Sequence, residues 1–361
     1  MSKKIGIFPG KGGKLWGKHS QKSRREAILP AVEGLRRLFN GLWVDFYRQS
    51  GYDDIRSMAP PCRGNCFFGS LKGVLSVMFQ IITDSCCDLS AEMIAELDLG
   101  VVPLSLEMDG RSYASGEMTP KALYDHLRSG KLPKTSAVNP DGWASYIRPA
   151  LAQGRDVLVM TFSSGLSATY QSAVIAAEEL REEFPHRKLI VIDTLCAALG
   201  QGLLVYTAAR LRAEGKSIDE VAAWVEENKL KLCHWVTVED LMHLKRGGRV
   251  SAATAVMGTM LSIKPIIRVD NDGKLESFAK ARGRKAAIKY LLDRMADSLD
   301  PARKDTVFVA HGDCPEDAEY LASEIKSRFG VKNVIIGYVG AVIGVHTGPG
   351  VLVAFHFGNH R

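Results

Sequence analysis

Short apolar runs alternate with amphipathic stretches along the chain from Phe79 onward. The runs FQIITD, VLVMTF and KLIVID have the length and composition of buried strands. Between the last two, residues 166–184 place apolar side chains at helical spacing. Apolar strands separated by helices of this length predict a parallel sheet that is covered on both faces.

Residues that cap helices mark several of the predicted starts. Thr119 and Asn139 each precede a proline, which suits the first position of a helix. Ser217 and Glu220 have the spacing of a capping box, in which each residue binds the other's backbone amide. The sequence therefore predicts helices that begin at these three points.

The alternation changes near His234. The stretch SIKPIIRVDNDGKLESFAKARG predicts two strands joined by a turn that contains Asp-Gly, and a long helix from Lys285 follows. We predict an α/β fold in two domains, a parallel-sheet α/β domain at residues 78–232 and a mixed α+β domain at residues 233–361.

Residues 1–77 do not follow this pattern and hold most of the positive charge. They contain 14 Lys or Arg and 5 Asp or Glu, whereas the rest of the chain is close to neutral. We interpret residues 1–77 as a basic extension, non-native or disordered. The alternative is a genuine arm that contacts a partner or, transiently, an anionic membrane surface. Because the body is nearly neutral, we expect no nucleic-acid partner.

Targeting and metal-binding signals are weak. The chain has no apolar run long enough for a transmembrane helix and no secretory signal, so we expect a cytoplasmic protein. The seven cysteines are scattered and do not form a zinc-site pattern, which predicts reduced, mostly buried thiols. We expect neither a metal nor a cofactor.

A turn rich in small hydroxyl residues follows the strand VLVMTF. Ser163, Ser164 and Ser167 lie between this strand and the next helix. A helix N-terminus offers amides without intrahelical partners, and its dipole favours negative charge. The turn therefore predicts a site for a carboxylate or phosphate. Simple capping of the helix is the alternative reading of Ser163 and Ser164.

Two other segments carry candidate ligand contacts. His346 lies in GVHTGPG, where glycines permit an unusual backbone path and close approach of a ligand. A single histidine in such a loop is also an ordinary turn residue. Thr135 and Ser136 precede Asn139-Pro140, and by themselves they are equally typical of a helix start.

With these landmarks, residues 79–361 resemble the DegV family of bacterial fatty-acid-binding proteins. The resemblance rests on six motifs in the family order, and no single one of them is specific. They are IITDSCCDLS at 81–90, KTSAVNP at 134–140, SSGLSATYQSA at 163–173, LKRGGRVS at 244–251, KARGRKAAI at 280–288 and IGVHTGPG at 343–350.

The resemblance implies a two-domain DegV-like (EDD) fold with its ligand between the domains. It also implies a long-chain fatty acid with its tail in a buried tunnel, and a separate ATP-dependent kinase that phosphorylates the presented carboxylate. The protein would then be a lipid-presenting subunit and not an enzyme. The implied carboxylate contacts are Thr135, Ser136, Ser163, Ser164 and His346, and Arg249 and Arg282 would support kinase docking or the phosphoryl site.

The chain departs from the family pattern at some of these motifs. Ala137 stands where the family usually has Gln, and Ala168 stands where it usually has Gly. The lost carboxamide affects the expected details of the head-group site or of partner contacts more than the expected fold.

Two other functions remain as alternatives. A serine-type lipid or ester hydrolase usually needs G-x-S-x-G, but Thr161 and Phe162 precede Ser163. A nucleotide-binding protein is suggested by residues 12–19, which nearly fit the P-loop pattern. His19 replaces the hydroxyl residue that would hold magnesium, so this match is weak.

Overall fold

A parallel sheet forms the first layer of the fold. The computed structural model describes residues 79–250 and 262–361. Within them, four parallel strands stand in the order β2-β1-β6-β7. Their bounds are β1 Phe79–Asp84, β2 Leu99–Val102, β6 Asp156–Thr161 and β7 Leu189–Asp193. Because the strands are parallel, the segments that follow them meet at one edge of the sheet, where ligands bind in open α/β sheets.

Six α-helices within residues 79–231 lie between these strands or after the last of them. In chain order they are α1 Ala91–Glu96, α2 Pro120–Arg128, α3 Pro140–Ala152, α4 Thr169–Glu183, α5 Leu199–Ala213 and α6 Ile218–Asn228. The side chains of Thr119, Asn139 and Ser217 each accept a hydrogen bond from a first-turn amide, so the three predicted helix starts are confirmed. Helix α4 begins three residues later than its apolar pattern predicts, because residues 166–168 belong to the preceding turn.

The apolar stretch VVPLSLEM forms two strands and not the single strand that its pattern predicts. Strand β2 ends at Val102 and β3 begins at Ser105, with Pro103 between them. Proline has no amide proton for a sheet ladder, which separates the two strands. Strand β3, Ser105–Met108, is the centre of an antiparallel sheet with β4, Arg111–Ala114, and β5, Lys134–Ser136.

A six-stranded mixed sheet occupies the second half of the chain, in the order β10-β9-β8-β13-β11-β12. Its strands are β8 Leu232–Thr237, β9 Ile263–Val269, β10 Leu275–Arg282, β11 Thr306–His311, β12 Asn333–Tyr338 and β13 Leu352–Phe357. Its helices are α7 Met242–Arg246, α8 Arg284–Ser298, α9 Pro315–Phe329 and α10 Ala341–Thr347. The predicted hairpin of β9 and β10 is confirmed, with Asp272-Gly273 in its turn.

Helix α5 lies in the main hydrophobic core, which joins both large sheets. Leu203 and Leu204 of α5 pack in one cluster with Met160 of β6, Phe308 of β11 and Phe355 of β13. Since this helix is buried on almost every side, it lacks the polar stripe that would have revealed it in the sequence. All described residues belong to one compact unit, and the division of the chain at residue 233 stays a prediction.

Several other expectations can be compared with the described residues. Their cysteines are all free, as predicted, and four of the five are buried. No helix within 79–250 or 262–361 is long and apolar enough to cross a membrane. The extension at 1–77 and the P-loop-like stretch at 12–19 lie outside the described residues.

Candidate functional site

A cavity of about 260 Å³ lies between the carboxyl-terminal edge of the parallel sheet and one face of the mixed sheet. Alternate residues of β8, β9 and β13 face it, because successive side chains of a strand point to opposite sides. The wall is mostly apolar. Its aliphatic and aromatic lining residues are Leu104, Phe162, Leu166, Val236, Leu244, Ile267, Val269, Leu275, Val339, Val342, Ile343, Val351, Val353 and Phe355.

Polar side chains gather at one end of the cavity. Oγ1 of Thr135 lies 2.8 Å from Nε2 of His346, within hydrogen-bond distance. Ser136, Ser167 and Arg249 also line the cavity. Ser136 is exposed, so this end reaches the protein surface. The fold thus brings together Thr135, Ser136, His346 and Arg249 of the predicted set.

His346 is held by close packing near the end of α10. A Cβ atom on Gly247 would lie 2.3 Å from Nδ1 of His346, so only glycine permits this approach. Nδ1 is buried and has no hydrogen-bond partner among the described residues. Burial, and secondarily the positive charge of Arg249, lowers the pKa of His346 to about 4. The imidazole is therefore neutral at pH 7.

Arg249 places a half-buried positive charge beside this end of the cavity. Its Nε donates to the carbonyl oxygen of Leu166 at 3.2 Å, and its Nη1 donates to the carbonyl oxygen of Gly247. Within the described part of the chain, no carboxylate forms an ion pair with Arg249. A cation held by carbonyl groups alone is suited to binding an anion.

Ser163 and Ser164 do not line the cavity. The Ser163 hydroxyl is buried and donates to the carbonyl oxygen of Gly273 at 2.7 Å, which ties the turn after β6 to the β9–β10 hairpin. Ser164 is half-buried, and its amide donates to Oδ1 of Asp193 at 3.2 Å. Their predicted contact with a ligand carboxylate stays a prediction, and their hydrogen bonds within the protein do not favour it.

The amides of the turn itself are hydrogen-bonded within the protein, so they are not free donors, and the predicted anion site at the start of α4 stays a prediction. The amide of Ser163 donates to the carbonyl oxygen of Cys196, and those of Leu166 and Ser167 donate to the carbonyl oxygen of Ser163. The amide of Gly165 donates to the Ser163 hydroxyl oxygen. The turn satisfies these amides by folding on itself, which the linear sequence does not reveal.

Two acidic residues at strand ends organise this edge of the sheet. Asp84 is fully buried and accepts hydrogen bonds from the amides of Cys86 at 3.0 Å and Phe162 at 2.7 Å. Burial raises the pKa of Asp84 to about 6, although these hydrogen bonds oppose the shift. Asp193 accepts from the amides of Ser164 and Leu195. Both therefore cap local turns.

Ser167 lines the cavity although it was not among the predicted ligand contacts. Its hydroxyl lies 2.8 Å from Oγ1 of Thr169 and accepts a hydrogen bond from the Thr169 amide at 3.2 Å. A serine two residues before a helix start is a recognisable turn signal. That signal indicated a cap and gave no indication that the same residue faces the cavity.

Arg282 lies away from this cavity. It is exposed at the end of β10 and is not among the cavity-lining residues. Its predicted role in kinase docking therefore stays a prediction about the surface of the protein.

Comparison with known proteins gives a consistent result. A family model described as "Uncharacterised protein, DegV family" matches residues 78–357. A DegV domain-containing protein from Clostridium perfringens is 46% identical over 286 residues, which cover 78% of this chain and 98% of that protein.

Solved structures share the fold. A DegV family protein from Thermus thermophilus, described for its fatty acid binding, is 33% identical with a TM-score of 0.70, and the match covers 78% of this chain and 99% of that one. The Fatty Acid Kinase B3 protein from Streptococcus pneumoniae, solved with linoleic acid, is 20% identical with a TM-score of 0.68 over 78% of this chain and 99% of its own. At that identity the similarity concerns the fold alone. The predicted α/β fold with one parallel and one mixed sheet is confirmed, and the chain belongs to the DegV family.

Proposed function

We propose that this protein binds a long-chain fatty acid, with the tail in the apolar part of the cavity and the carboxylate at the end formed by Thr135 and His346. The observation that carries the proposal is the separation of polarity along one cavity. Aliphatic and aromatic side chains form most of the wall, whereas Thr135, Ser136, Ser167, Arg249 and His346 gather where the cavity reaches the surface.

The apolar wall accounts for most of the affinity. Burial of an acyl chain contributes about 0.8 kcal/mol per methylene group, so a long tail supplies more binding energy than a few hydrogen bonds. The polar end then needs only to orient the carboxylate and offset its loss of water.

The head-group contacts follow from the tautomer of His346. Because Nδ1 faces Gly247, we assign the proton to Nε2, which donates to Oγ1 of Thr135. The Thr135 hydroxyl proton is then free to donate to the ligand carboxylate. Arg249 supplies the compensating charge, and Ser136 and Ser167 supply further hydroxyl groups. Ser163 and Ser164 stay secondary candidates, since the protein itself occupies their hydrogen-bonding groups.

We further propose that the carboxylate is presented to a partner ATP-dependent kinase, as the resemblance of the six motifs implies. A carboxylate oxygen would attack the γ-phosphorus of ATP on the kinase, the bond to the β-phosphate oxygen would break, and acyl phosphate and ADP would form. This chain would orient the nucleophile, and Arg249 and Arg282 would support docking or the phosphoryl group. The exposed polar end of the cavity supports this role.

The hydrolase alternative is weaker on chemical grounds. Thr135 and His346 have the spacing of a nucleophile and its base, but a general base works best with a pKa near the operating pH. His346, with a pKa of about 4, is a poor base, and its Nδ1 has no acidic partner within the described ranges.

Native mass spectrometry of gently purified protein tests the proposal. We expect a retained fatty acid, and after delipidation we expect rebinding that is weakened in Thr135→Val and His346→Ala. Incubation of the loaded protein with ATP and the partner kinase should yield acyl phosphate, which hydroxylamine traps. Esterase turnover by the protein alone, or retained nucleotide without lipid, would contradict the proposal.

A further inference from the structure

Three strands of the mixed sheet line the cavity in layers that run from its polar end to its closed end. Val351, which lies in the chain between His346 and the start of β13, forms the first layer. The next layer consists of Val353, Val236 and Ile267, which are paired across β13, β8 and β9. Each further layer lies two residues, or about 7 Å, along the strands.

The third layer contains an imidazole side chain, that of His234. Phe355 pairs with His234, and Leu275 pairs with Val269. The register places Val269 beside His234, because Trp235 pairs with Arg268. All four side chains line the cavity.

The cavity does not extend beyond this layer. The following pair on the same face, Phe357 and Leu232, is buried in the packed core and lines no part of the cavity. Trp224 packs edge-on against Phe357 with ring centroids 5.7 Å apart. The His234 layer is therefore the end wall.

His234 is fixed in place from both sides. Its Nδ1 lies 3.2 Å from the carbonyl oxygen of Leu232, and its Nε2 accepts a hydrogen bond from the Ala197 amide at 3.2 Å. Phe355 packs edge-on against the ring at 5.3 Å between centroids. A Cβ atom on Gly200 would lie 2.2 Å from Nε2, so the ring has no space to move toward α5.

These contacts leave His234 without a free donor for a ligand, so a polar role toward the ligand is excluded. Its neighbours in the wall are aliphatic or aromatic, and a valine would complete the same surface without any buried polar group. What the imidazole adds is a rigid ring that spans from β8 to the loop before α5 and fills the space at the end of the cavity.

We propose that His234 is the residue that determines chain length, with its ring stopping the methyl end of the bound acyl chain. This inference rests on the proposed function, because it requires the tail to lie in the cavity with its carboxylate at Thr135 and His346. It adds a determinant of specificity at the opposite end of the same ligand.

Competition between myristic and stearic acids, read by native mass spectrometry on the delipidated full chain, tests this role. In His234→Ala the space of the ring becomes available to the tail, and burial of about two further methylene groups should raise the preference for stearic acid about tenfold. His356→Ala is the matched control, since it removes another buried histidine of this sheet from the face opposite the cavity, where its Nε2 contacts Ser298. It should keep the wild-type preference.

Val269→Phe provides a second test in the opposite direction. An aromatic ring in place of the valine takes up space in the end layer, so the preference should shift toward myristic acid. This variant is the deciding test if His234→Ala does not fold. A wild-type preference in a folded His234→Ala protein, or in Val269→Phe if only that variant folds, would overturn the inference while leaving the proposed function intact. A wild-type protein that binds neither acid would overturn both.

Discussion

Oγ1 of Thr135 and Nε2 of His346 lie 2.8 Å apart although 211 positions separate the two residues in the chain. Thr135 is held by the pairing of β5 with β3, in which it stands opposite Leu106. His346 lies near the end of α10, which Tyr124 anchors by donating its hydroxyl proton to the carbonyl oxygen of Val339 at 2.8 Å. Both halves of the fold thus contribute to one polar pair.

Removal of the Thr135 hydroxyl should weaken fatty acid binding with little effect on folding. Thr135→Val keeps the shape of the side chain but loses a hydrogen bond to a charged group, so we expect an affinity loss of about tenfold to a hundredfold. Equilibrium binding of a fluorescent fatty acid measures it. Thr207→Val is the matched control, because the Thr207 hydroxyl donates to the carbonyl oxygen of Leu203 in its own helix and Thr207 does not line the cavity. Equal affinities of the two variants would contradict the assignment.

Gly247→Ala should disturb the same pair from the side of His346. The new methyl group would meet Nδ1 at 2.3 Å and push the imidazole away from Thr135, so we expect about tenfold weaker binding. Gly248→Ala is the control, since nothing lies within 4 Å of its Cβ position, although its φ of 71° makes any side chain costly there. Calorimetric titration should show a loss of affinity only for Gly247→Ala, and a loss limited to Gly248→Ala would argue against the packing role.

Ser163→Ala should reduce stability more than affinity. The buried carbonyl group of Gly273 would lose its donor, which lowers the free energy of unfolding by about 1–3 kcal/mol. Urea denaturation and fatty acid binding should be measured on the same preparation. A large loss of affinity with unchanged stability would instead support the predicted carboxylate contact of Ser163.

Acidification should destabilise the protein in part through His346. Its pKa is about 4 in the folded protein and 6.5 in the unfolded chain, so the unfolded state takes up a proton first as the pH falls. Above about pH 6.5 His346 is neutral in both states and does not affect the free energy of unfolding. Between about pH 6.5 and about pH 4, protonation of the unfolded state progressively lowers the free energy of unfolding. We expect His346→Gln to lose less stability than wild type between about pH 7.5 and about pH 5 in urea denaturation.

Other buried groups, His234 among them, also shift the wild-type pH profile, but their effects cancel when the variant is compared with it. Burial also lowers the pKa of His356, which acts in the same direction, and the raised pKa of Asp84 acts in the opposite direction. Replacement of an exposed residue, His186→Gln, is the control and should keep the wild-type profile. If His346→Gln keeps it too, the buried neutral state of His346 is wrong.

Fatty acid binding should raise the pKa of His346. A carboxylate beside the imidazole favours its protonated form, whereas the free protein has only burial and Arg249 acting on it. NMR titration of the imidazole signals, with and without fatty acid, measures the change. His356 is the internal reference, since it is fully buried on the opposite face of the sheet, and its signals should not respond. An unchanged pKa of His346 would place the carboxylate elsewhere.

Much of the fold could be predicted from the sequence because its signals are local. Continuous apolar runs identified the strands at 79–84, 156–161 and 189–193, and capping residues identified the starts of α2, α3 and α6. Helix α5 gave no such signal, since a helix buried between two sheets needs no polar stripe.

The same distinction between local sequence signals and tertiary contacts applies to the candidate site. Of the residues that the resemblance implies, Thr135, Ser136, Arg249 and His346 line the cavity, and their contact with a ligand stays a prediction. Only the tertiary structure decided that Ser167 and not Ser163 faces the cavity, and that His234 forms its end wall. Which way a side chain points depends on contacts with residues far away in the chain, here Gly273 for Ser163 and Ala197 for His234. Local sequence patterns do not contain those long-range contacts.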